Sequence, residues 1–177
     1  RFVIEELRRL NHDPGSFLFD RVSEAPAGVT GHSFGGLTAL TAGVQTPDEI
    51  GAAVALAPAL DDTVLQGLPN SRVPVLIMGG ERDLITPVQI QRDLFALAQP
   101  PRALLVFDRG GHFIFSRRCP ASIASCFGGP IAQDLAHTII NRFATAFFRR
   151  YLLGEVEMET WLAVDSTDGE AILTFDP

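Results

Sequence analysis

The sequence predicts an α/β protein, a mostly parallel sheet between two layers of helix in an α/β/α sandwich, and three observations lead there. Short apolar runs alternate with amphipathic stretches along the chain, the pattern of a strand and its crossover helix repeated. At 177 residues the chain suits one domain with a substantial core. Its 46% hydrophobic and 20% charged residues sit close to soluble averages, so neither disorder nor a fibrous repeat is indicated.

The elements follow in order. Phe2-Val3-Ile4-Glu5-Glu6-Leu7-Arg8-Arg9-Leu10 has helical spacing and makes residues 1–10 the first helix. Asn11-His12-Asp13-Pro14-Gly15 is rich in turn formers and ends it, and a loop continues to about Ala25. The first strand runs from Ala27 to Gly31. A helix is predicted from just after Ser33 to about Gln45, with Leu37, Leu40, Thr41 and Val44 spaced to face a sheet. Strands follow at 52–57 and 74–78, the latter before Gly79-Gly80. Pro87 opens a helix over 87–98, because its fixed φ suits a first helical turn and its missing N–H is not needed there. A fourth strand covers 103–107. Beyond a long loop, Leu135, Ile139, Ile140, Phe143, Ala146, Phe147 and Leu152 keep helical spacing through 131–153. Residues 1–154 make the main domain. In the tail, 155–177, the apolar runs 161–164 and 171–175 read as a hairpin, or as an extended arm.

Composition narrows the partners. A formal charge of −7, with every one of the 14 basic residues an arginine, leaves no concentrated basic face of the kind that binds nucleic-acid phosphates. No apolar run reaches the roughly 18 residues of a membrane span, so the chain is not expected to be membrane-embedded. Cys119 and Cys126 lie seven positions apart in a loop with Pro120, Gly128, Gly129 and Pro130. A disulfide and two free thiols are both open there, and the segment offers too few ligands for a metal. The sequence opens at Arg1 directly into a helical pattern, so the natural start is expected upstream.

The chemistry is carried by Gly31-His32-Ser33-Phe34-Gly35-Gly36, a Gly-x-Ser-x-Gly nucleophile elbow placed between a strand pattern and a helix pattern. A serine in so tight a turn is lifted out of the sheet, and Gly31 and Gly35 are expected to be small to avoid collision with strand and helix. A serine hydroxyl needs a base in hydrogen-bond reach and an acid to orient that base. Catalytic groups of a parallel sheet collect at the carboxyl ends of strands. Asp83, a few residues past the third strand, is the leading acid, with Asp61, Asp62 and Asp108 as rivals. His112, past the fourth strand and freed by Gly110-Gly111, is the leading base. His32 is assigned packing beneath the nucleophile, His12 a surface loop, and His137 the last helix. The N–H of Phe34, first in its helix, is placed to stabilise an oxyanion.

These residues resemble a known group. Gly-His-Ser-Phe-Gly-Gly, Val-Pro-Val-Leu-Ile-Met-Gly-Gly-Glu-Arg-Asp and Gly-Gly-His-Phe, in the chain order Ser, Asp, His, resemble the α/β-hydrolase superfamily, and within it the dienelactone hydrolase and platelet-activating factor acetylhydrolase-like branch. The resemblance covers about residues 1–150. It implies an α/β-hydrolase fold, Ser33 as nucleophile, Asp83 as acid, His112 as general base and Phe34 as an oxyanion donor, with neither metal nor organic cofactor. It also implies that the N-terminal strands, one of them bearing the second oxyanion donor, are lacking, so that the chain is the carboxyl-terminal part of a catalytic domain. The strand from Ala27 to Gly31 would then be an edge, left open or covered by a partner segment or second chain. The expected activity is cleavage of a small-molecule carboxylic ester, of short chain as the modest choice. An acyltransferase or thioesterase using the same residues and a non-catalytic binding protein are the alternatives.

Overall fold

The computed structural model describes residues 2–116, 131–163, 167 and 169–177. One five-stranded sheet runs in the order β1 (Ala27–His32), β2 (Ile50–Leu56), β3 (Val75–Gly80), β4 (Arg102–Phe107) and β5 (Ala171–Asp176). The first four strands are parallel and β5 is antiparallel to β4. One row crosses the whole sheet: Thr30 opposite Val54, Val54 opposite Leu76, Leu76 opposite Ala103, Ala103 opposite Phe175. All six residues of β3 are buried, as a strand covered on both faces must be, which is why it reads as an unbroken apolar run.

The helices are α1 (Phe2–Asn11), α2 (Phe34–Gln45), α3 (Asp62–Gly67), α4 (Val88–Leu97), α5 (Gln133–Leu152) and α6 (Met158–Ala163). Strands β1 to β4 succeed one another across the sheet in chain order, and crossovers of one hand then place α2, α3 and α4 on the same face. There Leu37, Leu40, Val64 and Leu94 pack on Ala53, Ala55, Val75, Ile77 and Val106. On the opposite face the 20-residue α5 sets Ala136, Ile139, Ile140, Phe143 and Phe147 against Val54, Leu76, Met78, Leu105 and Phe107. Successive strand residues alternate between these two cores, so the three layers predicted from sequence are present.

Two elements differ from the sequence reading. Residues 61–67 gave no helical signal, yet α3 forms there because the Asp61 side chain caps it, accepting from the Val64 N–H at 2.9 Å. The tail is not a hairpin. Trp161 and Leu162 fall in α6, whose Leu162 is fully buried against the α5 core, while 171–176 becomes β5. Ala171, Leu173 and Phe175 face that core and Ile172 faces solvent, so the period of two in this stretch serves the main sheet rather than a local pair. An Arg102–Asp176 ion pair of 3.0 Å joins the ends of β4 and β5. Cys119 and Cys126 lie outside the described residues. Among those described, no helix is long and apolar enough to cross a membrane.

Among the described residues β1 pairs only with β2, and Gly28 and Thr30 are exposed along it. Ala27 donates its N–H to the Glu49 carbonyl just before β2 and Ser33 to that of Leu56 in β2, so the alternation of a strand turns the Thr30 N–H to the open side. The amide of Thr30 is expected to exchange with solvent deuterium orders of magnitude faster than that of Ile77 in β3. Equal protection at the two positions in a hydrogen-exchange measurement would mean that another segment is paired there.

Candidate active site

Three parallel strands deliver the candidate residues to one edge of the sheet. Ser33 sits immediately after β1, with φ 59° and ψ −117°, a backbone region that non-glycine residues avoid. Such a conformation costs about 1–3 kcal/mol and persists only where its surroundings over-determine it. Here the Ser33 N–H donates to the Leu56 carbonyl at 2.8 Å, and its carbonyl accepts from the N–H groups of Leu37 and Ala59, each at 3.1 Å. The backbone on both sides of the hydroxyl is thereby fixed to β2, to α2 and to the loop after β2.

The glycines of the elbow are not equivalent. A Cβ on Gly31 would overlap the Gly35 backbone, whereas a Cβ on Gly35 would meet nothing. The expected steric demand therefore falls on Gly31 and is absent at Gly35. Phe34 opens α2, where the first N–H groups have no intrahelical acceptor, and its side chain stands 76% exposed.

Asp83 lies on the loop after β3 and is 3% exposed. Its Oδ1 accepts from the N–H groups of Ile85 and Thr86, each at 2.8 Å. Its Oδ2 accepts from His112 Nδ1 at 2.7 Å and from the Thr86 hydroxyl at 2.9 Å. Four donors fill the acceptor capacity of a carboxylate. Burial alone would raise the Asp83 pKa; the bonds from His112 and from the Thr86 and Ile85 groups outweigh it and hold the carboxyl below the usual aspartate range.

His112 is 2% exposed and opens a short 3₁₀ turn, His112–Phe115, after β4. With Nδ1 facing an ionised carboxylate, the ring proton sits on Nδ1 and Nε2 is left as the acceptor. The loops bearing His112 and Asp83 are tied to each other: Arg82 N–H donates to the Gly110 carbonyl at 2.9 Å, and Glu81 N–H to that of Phe107 at 3.0 Å. The structure brings Asp83 and His112 into contact; between the Ser33 hydroxyl and His112 it places no hydrogen bond.

His32 does more than fill space below the elbow. Its Nε2–H donates to the His112 carbonyl at 2.9 Å, and the two rings lie 4.6 Å apart. Burial, then the neighbouring His112, lowers its pKa, so it is a neutral donor at ordinary pH. The rival acids have other places: Asp61 caps α3, Asp62 lies in its first turn, and Asp108 is exposed. His12 is exposed and bonded to the Arg8 carbonyl, and His137 lies on α5. Thr86 gave no motif signal; only its spacing three residues past an acidic loop residue could have marked it. Among the described residues, no group of three or more His, Cys, Asp or Glu side chains could hold a metal.

Two outcomes follow. Gly31→Ala is expected to destabilise the protein by about 3 kcal/mol or more, and Gly35→Ala to be neutral or to stabilise by up to about 1 kcal/mol; denaturant unfolding of both variants checks this. Because Asp83 is held below its ordinary value of 3.8, its contribution to stability is complete above that pH and is lost as pH falls through the lowered value. Asp83→Asn should remove that part of the acid dependence of unfolding, and an unchanged acid slope would contradict the network described.

The profile of the PET hydrolase-like family matches residues 3–167, nearly the whole chain. A comparison with curated proteins finds no match. The resemblance seen in the sequence motifs thus holds at the level of the α/β-hydrolase superfamily, to which the matching family belongs. Matched over residues 3–167 and built on a mostly parallel sheet, this chain belongs to the PET hydrolase-like family of α/β hydrolases, an ester-hydrolysing group.

Proposed function

We propose that the chain is a serine hydrolase that cleaves carboxylic esters through an acyl-enzyme, with Ser33 as nucleophile, His112 as general base and Asp83 as orienting acid. The observation that carries this is the 2.7 Å bond from His112 to a saturated, buried Asp83, on loops at the same sheet edge as a serine held at φ 59°. The Ser33 oxygen attacks the ester carbonyl carbon while its proton passes to His112 Nε2. The Phe34 N–H, free at the start of α2, stabilises the negative oxygen that forms. Collapse of that intermediate expels the alcohol, which takes the proton from Nε2. Water then repeats the sequence on the acyl-enzyme and releases the acid. Asp83 stays ionised throughout and holds the imidazole with Nδ1 protonated. No step calls for a metal or organic cofactor.

The substrate reading rests on the rim. Phe34 is 76% exposed, and Leu84 and Ile85, next to Asp83, are 78% and 46% exposed. Large apolar groups bordering the nucleophile and acid suit an ester with an apolar or aromatic acyl group better than a strongly polar one. The family's name points to an aromatic polyester, and the dienelactone hydrolase and acetylhydrolase branch shares the same acyl chemistry with smaller esters.

Ser33→Ala should lower the rate of nitrophenyl ester hydrolysis by about four orders of magnitude and abolish labelling by a fluorophosphonate probe, with folding unchanged. Labelling or hydrolysis that survives the substitution would assign the nucleophile elsewhere.

A further inference from the structure

The loop between β3 and α4 holds a buried hydroxyl that the reaction outlined above does not use. Thr86 is 5% exposed, and its Oγ1 lies 2.9 Å from Asp83 Oδ2, 3.2 Å from His112 Nδ1 and 3.2 Å from the carbonyl of Ala57 at the end of β2. A buried hydroxyl is costly unless bonded, and valine would fill the same volume without that cost. This one is bonded to both members of the acid–base pair and to a neighbouring strand end.

We infer that Thr86 is a positioning residue: through its hydroxyl it fixes the Asp83–His112 pair relative to the end of β2, and so sets the orientation in which His112 meets Ser33. The inference rests on the reading of Ser33, His112 and Asp83 given above. The hydroxyl oxygen accepts a share of the His112 Nδ1–H, while its own hydrogen serves Asp83 Oδ2 or the Ala57 carbonyl. A carboxylate with only His112 on Oδ2 would keep its backbone bonds on Oδ1 and still be free to tilt about them. Ala57 itself is held at φ 42°, with its N–H on the Met78 carbonyl at 2.7 Å, so the carbonyl that receives Thr86 is a fixed reference point.

The pH dependence follows from the same contacts. A donor to the pair favours its deprotonated form, so removing the Thr86 hydroxyl makes the pair bind a proton more tightly. The acidic midpoint of kcat/KM then moves to higher pH. Among the described residues, the titratable group in contact with the pair is His32 on β1, whose ring lies against that of His112; the end of β2 presents the Ala57 carbonyl.

The test compares wild type, Thr86→Val, Thr86→Ser and Ser33→Ala on a nitrophenyl butyrate ester across pH, with circular dichroism as the check on folding. Thr86→Val should lower kcat by about tenfold to a hundredfold, leave KM within about twofold and raise the acidic midpoint, while Thr86→Ser retains wild-type values. In proton NMR, the low-field resonance of His112 Nδ1–H should move in Thr86→Val and stay in place in Thr86→Ser, a readout that needs no turnover. An unmoved resonance and midpoint in Thr86→Val, or a Thr86→Ser variant as impaired as Thr86→Val, would overturn the positioning role. Undiminished hydrolysis by Ser33→Ala would instead overturn the reading of the nucleophile, and the NMR comparison would still decide the role of Thr86.

Discussion

Parallel pairing of β1, β2, β3 and β4 is the constraint on which the candidate site depends. Parallel strands end on the same side, and the registry here brings His32, Leu56 and Met78 into one row just before three chain segments leave the sheet. Ser33 emerges directly from β1, Asp83 three positions past Gly80, and His112 five positions past Phe107. The distances between these residues are therefore inherited from strand spacing of about 4.8 Å and from short loops, rather than from long flexible connections. Burial of the sheet on both faces makes the arrangement stiff. A change that slips β3 against β4 would displace Asp83 relative to His112, and a change that loosens β1 from β2 would move Ser33 alone.

The loops add a second level of order, made from hydrogen bonds. Asp83 is among the most buried charged groups of the described residues, and an unpaired carboxylate in that position would protonate rather than remain charged. Its four donors come from three sources: its own turn, the Thr86 hydroxyl and the imidazole across the loop. Backbone bonds from Arg82 to Gly110 and from Glu81 to Phe107 hold the two loops in contact independently of those side chains. Removing one side-chain bond thus leaves the loops in place while changing the electrostatics, the condition under which a positioning role can be separated from a folding role.

Much of this was legible in the sequence, and the reasons are physical. Strands β2, β3 and β4 announce themselves as apolar runs because both of their faces are covered, and α5 announces itself because one stripe of a long helix faces the core. The elbow is legible because a strand, a turn and a helix around Ser33 leave a glycine-rich trace, though only at Gly31 is the absence of a side chain enforced by contact. What was not legible depends on distant partners. Ala171, Leu173 and Phe175 carry the alternation of a strand, but nothing local says that the strand joins β4 rather than residues 161–164. Thr86 looks like any loop threonine until Ala57 and His112 are brought beside it. His32, likewise, has no sequence signal for its bond to a carbonyl 80 positions away.

Strain is concentrated where function is read. Of the three non-glycine residues at positive φ among the described residues, Ser33 and Ala57 stand at the ends of the adjacent strands β1 and β2. Each costs about 1–3 kcal/mol in isolation, and each is held by bonds to a neighbouring strand. The cost is met by a core in which fully buried residues such as Phe143 and Phe147 contribute about 1.5–3 kcal/mol apiece. A strained residue kept in place by ladder bonds cannot relax without breaking them, so the backbone that carries Ser33 and the carbonyl of Ala57 are fixed within the fold. On the proposed reading of Ser33 as nucleophile, the backbone that presents it is then set during folding and not by the binding of an ester.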